Sequence, residues 1–313
     1  MRMPLAGWGQ LQTELCEVST WSPDTIGSRL KTLIPRGLGR AYGDTAINPN
    51  LTMLMTEFDA IEHFDPVSGI VITQAGCSLK TLLDLVLPSG WFVEVTPGTQ
   101  YVTLGGMVAA DVHGKNHHHV GTFASCVDWI DVLGGDGAIS RVSRENDPDL
   151  FWWTLGGFGL TGIILRLQFR LMAVDSSCML QSTVRTNHLS ETIELFESKG
   201  HEPYSVAWID SSAKGAHIGR SVVLFGRHAG SDEVSEQRRL QSDMSIAQGM
   251  TVPRMPVSVV NRVSIEMFNR LYYQRQRDAS RCVPLRRYFY PLDGLSHWYR
   301  LYGPKGFAQY QVL

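Results

Sequence analysis

The glycines of this chain are grouped, and that grouping limits its possible folds more than any other feature. Thirty glycines occur among 313 residues, with dense clusters at Gly37 to Gly43, Gly98 to Gly121, Gly134 to Gly137 and Gly156 to Gly162. Without a Cβ, the backbone can turn tightly or approach a ligand closely. After Gly162 the glycines thin and charge rises, notably from Gly226 to Gln248. The spacing predicts two parts: residues 1–172, which hold a ligand against backbone, and residues 173–313, an ordinary mixed domain. A hydrophobic share of 43% and a charged share of 19% support a packed core and exclude a disordered chain. A net charge of −2 gives no reason to expect nucleic acid as a partner.

No apolar run approaches the roughly 18–20 residues of a membrane span. The opening MRMPLAGWGQ has no apolar core of the kind a secretory leader carries. Five cysteines, Cys16, Cys77, Cys126, Cys178 and Cys282, are odd in number and form no CxxC. That usage predicts free thiols in a reducing, cytoplasmic setting.

The first part reads as short strands punctuated by turns. Ile70 to Gly76 is β-rich and ends at a glycine. Ser78 caps a helix carrying Leu79, Leu82, Leu83 and Val86, stopped by Pro88 and Gly90. Trp91 to Val95 is a strand, and Val127 to Leu133 and Ala138 to Val142 flank Gly134-Gly135-Asp136-Gly137, a hairpin signal. Asp149 to Leu155 reads as helix and Ile163 to Leu171 as strand. The pattern is α+β, without the regular βαβ alternation of a doubly wound sheet.

Gly157-Phe158-Gly159-Leu160-Thr161-Gly162 matches G-x-G-x-x-G, but that fingerprint needs a strand before it and a helix after it. Here the order is reversed, so the doubly wound reading fails and a glycine turn against a ligand stays open. Arg36 to Asp44, RGLGRAYGD, holds three glycines in seven residues, enough for consecutive N–H groups to converge on phosphate oxygens. A plain basic surface loop is the alternative. Gly98 with Thr103 to Gly106, running on to Ala110, repeats the small-residue logic. His113-Gly114-Lys115-Asn116-His117-His118-His119 places two histidines four apart, yet Gly114 and Asn116 suit a helix poorly and the glutamate of HExxH is missing. We therefore expect no metal here. His113 suits hydrogen bonding to a cofactor, and Lys115 with the later histidines suits an anionic substrate.

Taken together, RGLGRAYGD (36–44), PGTQYVTLGG (97–106), AADVHGKNHHHVG (109–121) and LGGFGLTGII (155–164) resemble the FAD-linked oxidases of the vanillyl-alcohol-oxidase type. Within them the chain is most similar to the decaprenylphosphoryl-β-D-ribose 2-oxidases. The likeness begins at Gly7-Trp8-Gly9 and continues through SVAWID (205–210), YFYPLD (288–293) and YGPKGFAQYQ (302–311). It implies an FAD-binding domain of the PCMH type followed by a substrate domain with an antiparallel sheet.

By position, the resemblance implies that Arg36, Gly37, Leu38, Gly39, Arg40, Ala41, Tyr42, Gly43 and Asp44 wrap the FAD pyrophosphate. Gly98, Thr103, Leu104, Gly105 and Gly106 continue that cradle. Ala110, Asp111, Val112 and His113 approach the isoalloxazine, and Ile164 meets the far end of the cofactor. Lys115, Trp208, Tyr290, Gln309 and Gln311 face the substrate. Some relatives attach FAD through a histidine in the first glycine loop; this loop has none, so the FAD is expected to dissociate. The implied reaction oxidises the 2-hydroxyl of a polyprenylphosphoryl ribose to a ketone for cell-wall arabinan synthesis, with an NAD(P)H-dependent reductase completing an epimerisation. Free sugars, alditols and aldonolactones are the alternative substrates, and a non-catalytic FAD-binding relative is the other. The family's catalytic lysine falls beyond residue 313. A lipid substrate also implies a membrane-associated approach, which the sequence does not display.

Overall fold

A computed structural model of the chain describes residues 1–20, 22, 32–234, 250–254 and 256–309. The chain opens with β1 (Arg2–Ala6), β2 (Thr13–Thr20), β3 (Ile34–Arg36) and β4 (Thr52–Leu54). They form one sheet in the order β1-β2-β4-β3. β1 runs antiparallel to β2, and β4 runs parallel to both β2 and β3.

The second sheet contains β5 (Ile61–Phe64), β6 (Ile70–Gln74), β7 (Trp91–Val93), β8 (Val127–Leu133), β9 (Ile139–Ser143) and β10 (Ile163–Ala173). Its order is β5-β6-β10-β8-β9, with β7 also paired to β10. Helices α1 (Leu79–Val86), α2 (Leu104–Ala109), α3 (His117–Val120) and α4 (Pro148–Thr154) fill the connections. The Ser78 hydroxyl accepts the Thr81 amide at 3.0 Å, and Leu79, Leu82, Leu83 and Val86 are all fully buried, as their spacing requires. The hairpin between β8 and β9 closes through Gly134 N–H to Ala138 O at 2.9 Å. Helix α4 begins one residue before the expected Asp149, because Asp147 caps it and proline suits the first helical position. Strand β7 stops at Val93 rather than Val95, where the Asn116 side-chain amide takes the Glu94 carbonyl at 2.8 Å.

The third sheet is antiparallel throughout. It comprises β11 (Cys178–Thr186), β12 (Tyr204–Ile209), β13 (Ser221–His228) and β15 (Ala279–Pro284), in the order β12-β13-β11-β15. Helices α5 (Leu189–Ser198), α6 (Arg262–Arg275) and α7 (Leu285–Phe289) accompany it, and β14 (Met250–Thr251) pairs in parallel with β16 (Leu295–Ser296). The architecture is α+β, as the sequence predicts, and the sheet of the later chain is antiparallel, as the resemblance implies. The largest core cluster joins Leu82, Phe92, Phe123 and Phe169 to Met179, Tyr204, Leu285 and Phe289 of the later chain. All five cysteines are free thiols, and four of them are buried; burial pushes the Cys77 thiol up to about 12, which keeps it unreactive.

Candidate functional site

Two of the glycine clusters meet. The loop after β3 lies so close to the start of α2 that a Cβ at Gly37 would sit 2.3 Å from Thr103 Oγ1. Gly39 adopts φ +68°, open to glycine without strain. A narrow cleft opens here, lined among others by Gly37, Thr103, Gly105, Gly159 and Ile164. Among the described residues, no backbone N–H from Gly37 to Asp44 donates to a backbone or side-chain acceptor. A run of unpaired amides beside a wall without side chains fits an anionic, elongated ligand such as a dinucleotide.

The start of α2 contributes differently. Its amides are spent inside the protein: Leu104 N–H on Cys77 O and Gly105 N–H on Ala75 O, each at 2.8 Å, and Gly106 N–H on Thr103 Oγ1 at 3.2 Å. Thr103 to Gly106 therefore supplies shape, not donors, and the Leu104 side chain is buried in the core. The two arginines also depart from the phosphate-facing role considered for them. Arg36 donates to Ala6 O at 2.8 Å and Ala46 O at 3.2 Å. Arg40 donates to Tyr101 O at 2.8 Å and lies 3.9 Å over the Trp8 ring. Burial lowers both guanidinium pKa values. Each arginine knits the loop to distant backbone, a role only the fold could assign. Tyr42 packs edge-on to Phe307, with ring centroids 5.7 Å apart. Leu38, Gly43 and Asp44 are exposed, while Ala41 accepts the Trp8 amide at 2.7 Å. Gly98 is exposed on a turn clamped by Asp293, whose carboxylate accepts Thr99 Oγ1 at 2.5 Å and the Gln100 amide at 2.9 Å.

The end of α2 carries the next part of the site. Asp111 has φ +38° and Phe158 φ +51°, a conformation uncommon for residues with side chains. Both are held there: Asp111 Oδ1 accepts the Ala124 amide at 2.9 Å, and Phe158 N–H reaches Ala109 O at 2.8 Å. The fourth glycine cluster thus packs against Val108 and Ala109, after helix α4 and before strand β10. That order matches the rejection of the doubly wound fingerprint. Val112 O accepts the Phe123 amide at 2.8 Å, and His113 bridges to Thr122. The His113 and His117 rings meet edge-on at 5.6 Å, and among the described residues no group of three His, Cys, Asp or Glu is arranged to hold a metal. His118 and His119 both donate to Glu202 O, at 3.0 and 3.2 Å.

Lys115 lies beyond that turn. Its ammonium donates to Tyr288 O and sits 4.2 Å over the Tyr288 ring, while its own carbonyl accepts the Ser205 amide of β12 at 2.8 Å. Burial pulls its pKa down to about 8. The Tyr288 hydroxyl is buried without a partner. Trp208 packs edge-on to Tyr272 of α6 at 4.7 Å. Tyr290 is fully buried, its hydroxyl 2.7 Å from Thr96 Oγ1, so it sits in the core between the two halves instead of on an open wall. Gln309 is exposed, and Gln311 lies outside the described residues. The sequence reading did not include Pro35, Met55, Ala75 or Ala109, which also line the cleft; the small pair Ala75-Gly76 closing β6 was the available signal.

Comparison with known proteins agrees with this geometry. Residues 27–143 match the FAD binding domain family. Decaprenylphosphoryl-beta-D-ribose oxidase of Mycolicibacterium smegmatis is 35% identical over 328 aligned positions, covering 99% of this chain and 71% of that protein. An uncharacterized protein in the mprA 5' region of Streptomyces coelicolor is 35% identical over 60% of this chain and 51% of its own length. D-arabinono-1,4-lactone oxidase of Kluyveromyces lactis is 20% identical over 54% of this chain and 32% of its own. No described helix is long and apolar enough to cross a membrane. The chain is an FAD-dependent oxidoreductase and belongs to the decaprenylphosphoryl-β-D-ribose oxidase family.

Proposed function

We propose that this protein oxidises the ribose 2-hydroxyl of a polyprenylphosphoryl-β-D-ribose to a ketone, beside the turn that joins His113 to Lys115. The observation that carries the reading is the unpaired N–H run from Gly37 to Asp44 beside a glycine-lined cleft. FAD held there would supply the redox chemistry, as the acceptor of the hydride equivalent. The protein's own groups bind and orient. The 37–44 amides hold the pyrophosphate, and Thr103 to Gly106 let it lie against backbone. Asp111, fixed on Ala124, sets the turn that presents His113. Lys115 keeps its proton on Nζ below about pH 8 and neutralises the substrate phosphate, while Trp208 and Gln309 flank the sugar. Tyr290 acts through Thr96 as part of the wall's support.

In this reading residues 1–172 form the FAD-binding unit and 173–313 the substrate unit. The FAD is non-covalent, because residues 36–44 contain no histidine. A separate NAD(P)H-dependent keto-sugar reductase consumes the product. The likeness to a D-arabinono-1,4-lactone oxidase favours one alternative, a free sugar or aldonolactone. Flavin bleaching separates the two: FAD-reconstituted protein is mixed anaerobically with a polyprenylphosphoryl ribose, with an aldonolactone or with a simple polyol. Bleaching by the lipid-linked sugar alone supports the proposal. Bleaching by the lactone or polyol alone transfers it to the alternative, and no flavin uptake at all defeats both.

A further inference from the structure

Helix α6 is polar where it meets the protein and apolar where it meets solvent. On the inner side Asn269 is buried and donates to Asp210 Oδ1 at 2.7 Å and Ser212 Oγ at 3.1 Å. Tyr273 donates to Thr186 O at 3.0 Å. On the outer side Val263, Met267, Phe268 and Leu271 are 74, 61, 55 and 45% exposed. At about 100° per residue, Val263, Met267 and Leu271 line up as one stripe and Phe268 adjoins it. Arg270 borders one margin, and Arg275 continues the row of Val263, Met267 and Leu271 at the C-terminal end of the helix. A surface helix ordinarily shows the reverse arrangement, and a continuous exposed apolar stripe marks a contact surface.

Charge singles out the partner. The whole chain has a formal charge of −2, yet residues 250–287 contain eight arginines against two acids, Glu266 and Asp278. All of these arginines except Arg286 are exposed. Glu266 is already balanced by Arg262 at 3.0 Å and Lys214 at 3.9 Å. Beside the stripe, an open groove of about 440 Å³ is lined by Lys214 and Arg270 together with Val263 and Met267. Cations next to an apolar lip suit a phosphate headgroup with its acyl chains. The helix has 14 residues, about 21 Å in length, which is too short to span a bilayer and long enough to lie along its surface.

We propose that the outer face of α6 docks on an anionic lipid bilayer. Val263, Met267, Phe268 and Leu271 enter the headgroup–acyl boundary, and Arg270, Arg275 and Lys214 meet lipid phosphates. This surface stands independently of the substrate assignment. The test is co-sedimentation of FAD-loaded protein with vesicles of phosphatidylcholine alone or mixed with phosphatidylglycerol. Binding is expected with the anionic vesicles, weakened by salt. Two double variants, Met267→Asp with Leu271→Asp and Arg270→Gln with Arg275→Gln, should each lower it about tenfold or more. Hydrogen exchange of the unsubstituted protein gives an arm that needs no variant: anionic vesicles should protect the amides of residues 262–275. Equal binding to neutral and anionic vesicles, unchanged binding of both variants, or no protection at 262–275 overturns the proposal. A dimer that both variants dissolve overturns it too, by assigning the face to a second copy of the chain.

Discussion

The cradle around Gly37 and Gly105 and the network around Asp210 hold their shapes by opposite means. In the cradle, backbone touches backbone because side chains are missing; a Cβ at Gly105 would lie 2.6 Å from Ala75 Cβ and 2.9 Å from Ala75 O. Around Asp210, side chains do the joining. Its carboxylate has no exposed side-chain surface and accepts from Ser212, Arg220 and Asn269. Burial alone would raise its pKa, but those hydrogen bonds outweigh it and hold the carboxyl below its usual value. The contrast teaches where each region is vulnerable: adding an atom breaks the first, and removing one breaks the second.

The largest effect should come from Asp210→Ala. It leaves Arg220 and Asn269 without their buried partner, and we expect a loss of about 3–5 kcal/mol in urea unfolding. A loss under about 1 kcal/mol would mean that the network does not define this region. Gly105→Val tests the opposite weakness. Its methyls meet backbone that cannot move alone, so about 3 kcal/mol of stability should go, together with the flavin absorbance of purified protein. Retained flavin with normal stability would show that the contact yields more easily than its distances imply.

Lys115→Met sharpens the comparison at the junction of the regions. The folded pKa of about 8 lies below the roughly 10.4 of a free lysine. Between those values the unfolded chain binds a proton that the folded chain has released, so stability rises with pH across about 8 to 10.4. Below about 8 the burial penalty is present in full. The variant should therefore be more stable near neutrality by about 3 kcal/mol, less what is lost with the Tyr288 contacts, and it should lack the alkaline rise. Thermal midpoints at several pH values decide this; parallel pH curves for the two proteins would count against a charged, desolvated Lys115. The smallest expected effect is that of Gly37→Ala. Its new methyl meets Thr103 Oγ1 at 2.3 Å, so the Thr103 side chain or the loop must move by about an ångström to restore ordinary contact. We expect FAD affinity to fall about tenfold, about 1.4 kcal/mol, with little change in unfolding. Equilibrium flavin titration measures it, and unchanged affinity would exclude a close approach at this point.

These two regions were also unequally legible beforehand. The Ser78 cap, the Leu79-Leu82-Leu83-Val86 spacing and the Gly134 to Gly137 hairpin are local signals, and each element formed where its neighbours in sequence required. The 36–44 loop was legible for the same reason, since three closely spaced glycines constrain backbone whatever surrounds them. The partners of Arg36, Arg40 and Tyr290 were not. Arg36 finds the carbonyl of Ala6, 30 residues away, and the Tyr290 hydroxyl finds Thr96, 194 residues away. Nor was the orientation of helix α6, whose Asn269 and Tyr273 turn inward onto partners distant in sequence.

The sequence by itself therefore determined an α+β chain with glycine-rich turns concentrated before residue 163, because glycine placement and helix caps act over a few residues. Only the tertiary structure decided which amides stay unpaired, which arginines are consumed in bracing the loop, and which face of α6 meets water. Those outcomes depend on the acceptors and the burial that distant segments bring to each side chain, and spacing along one strand of sequence carries no record of them.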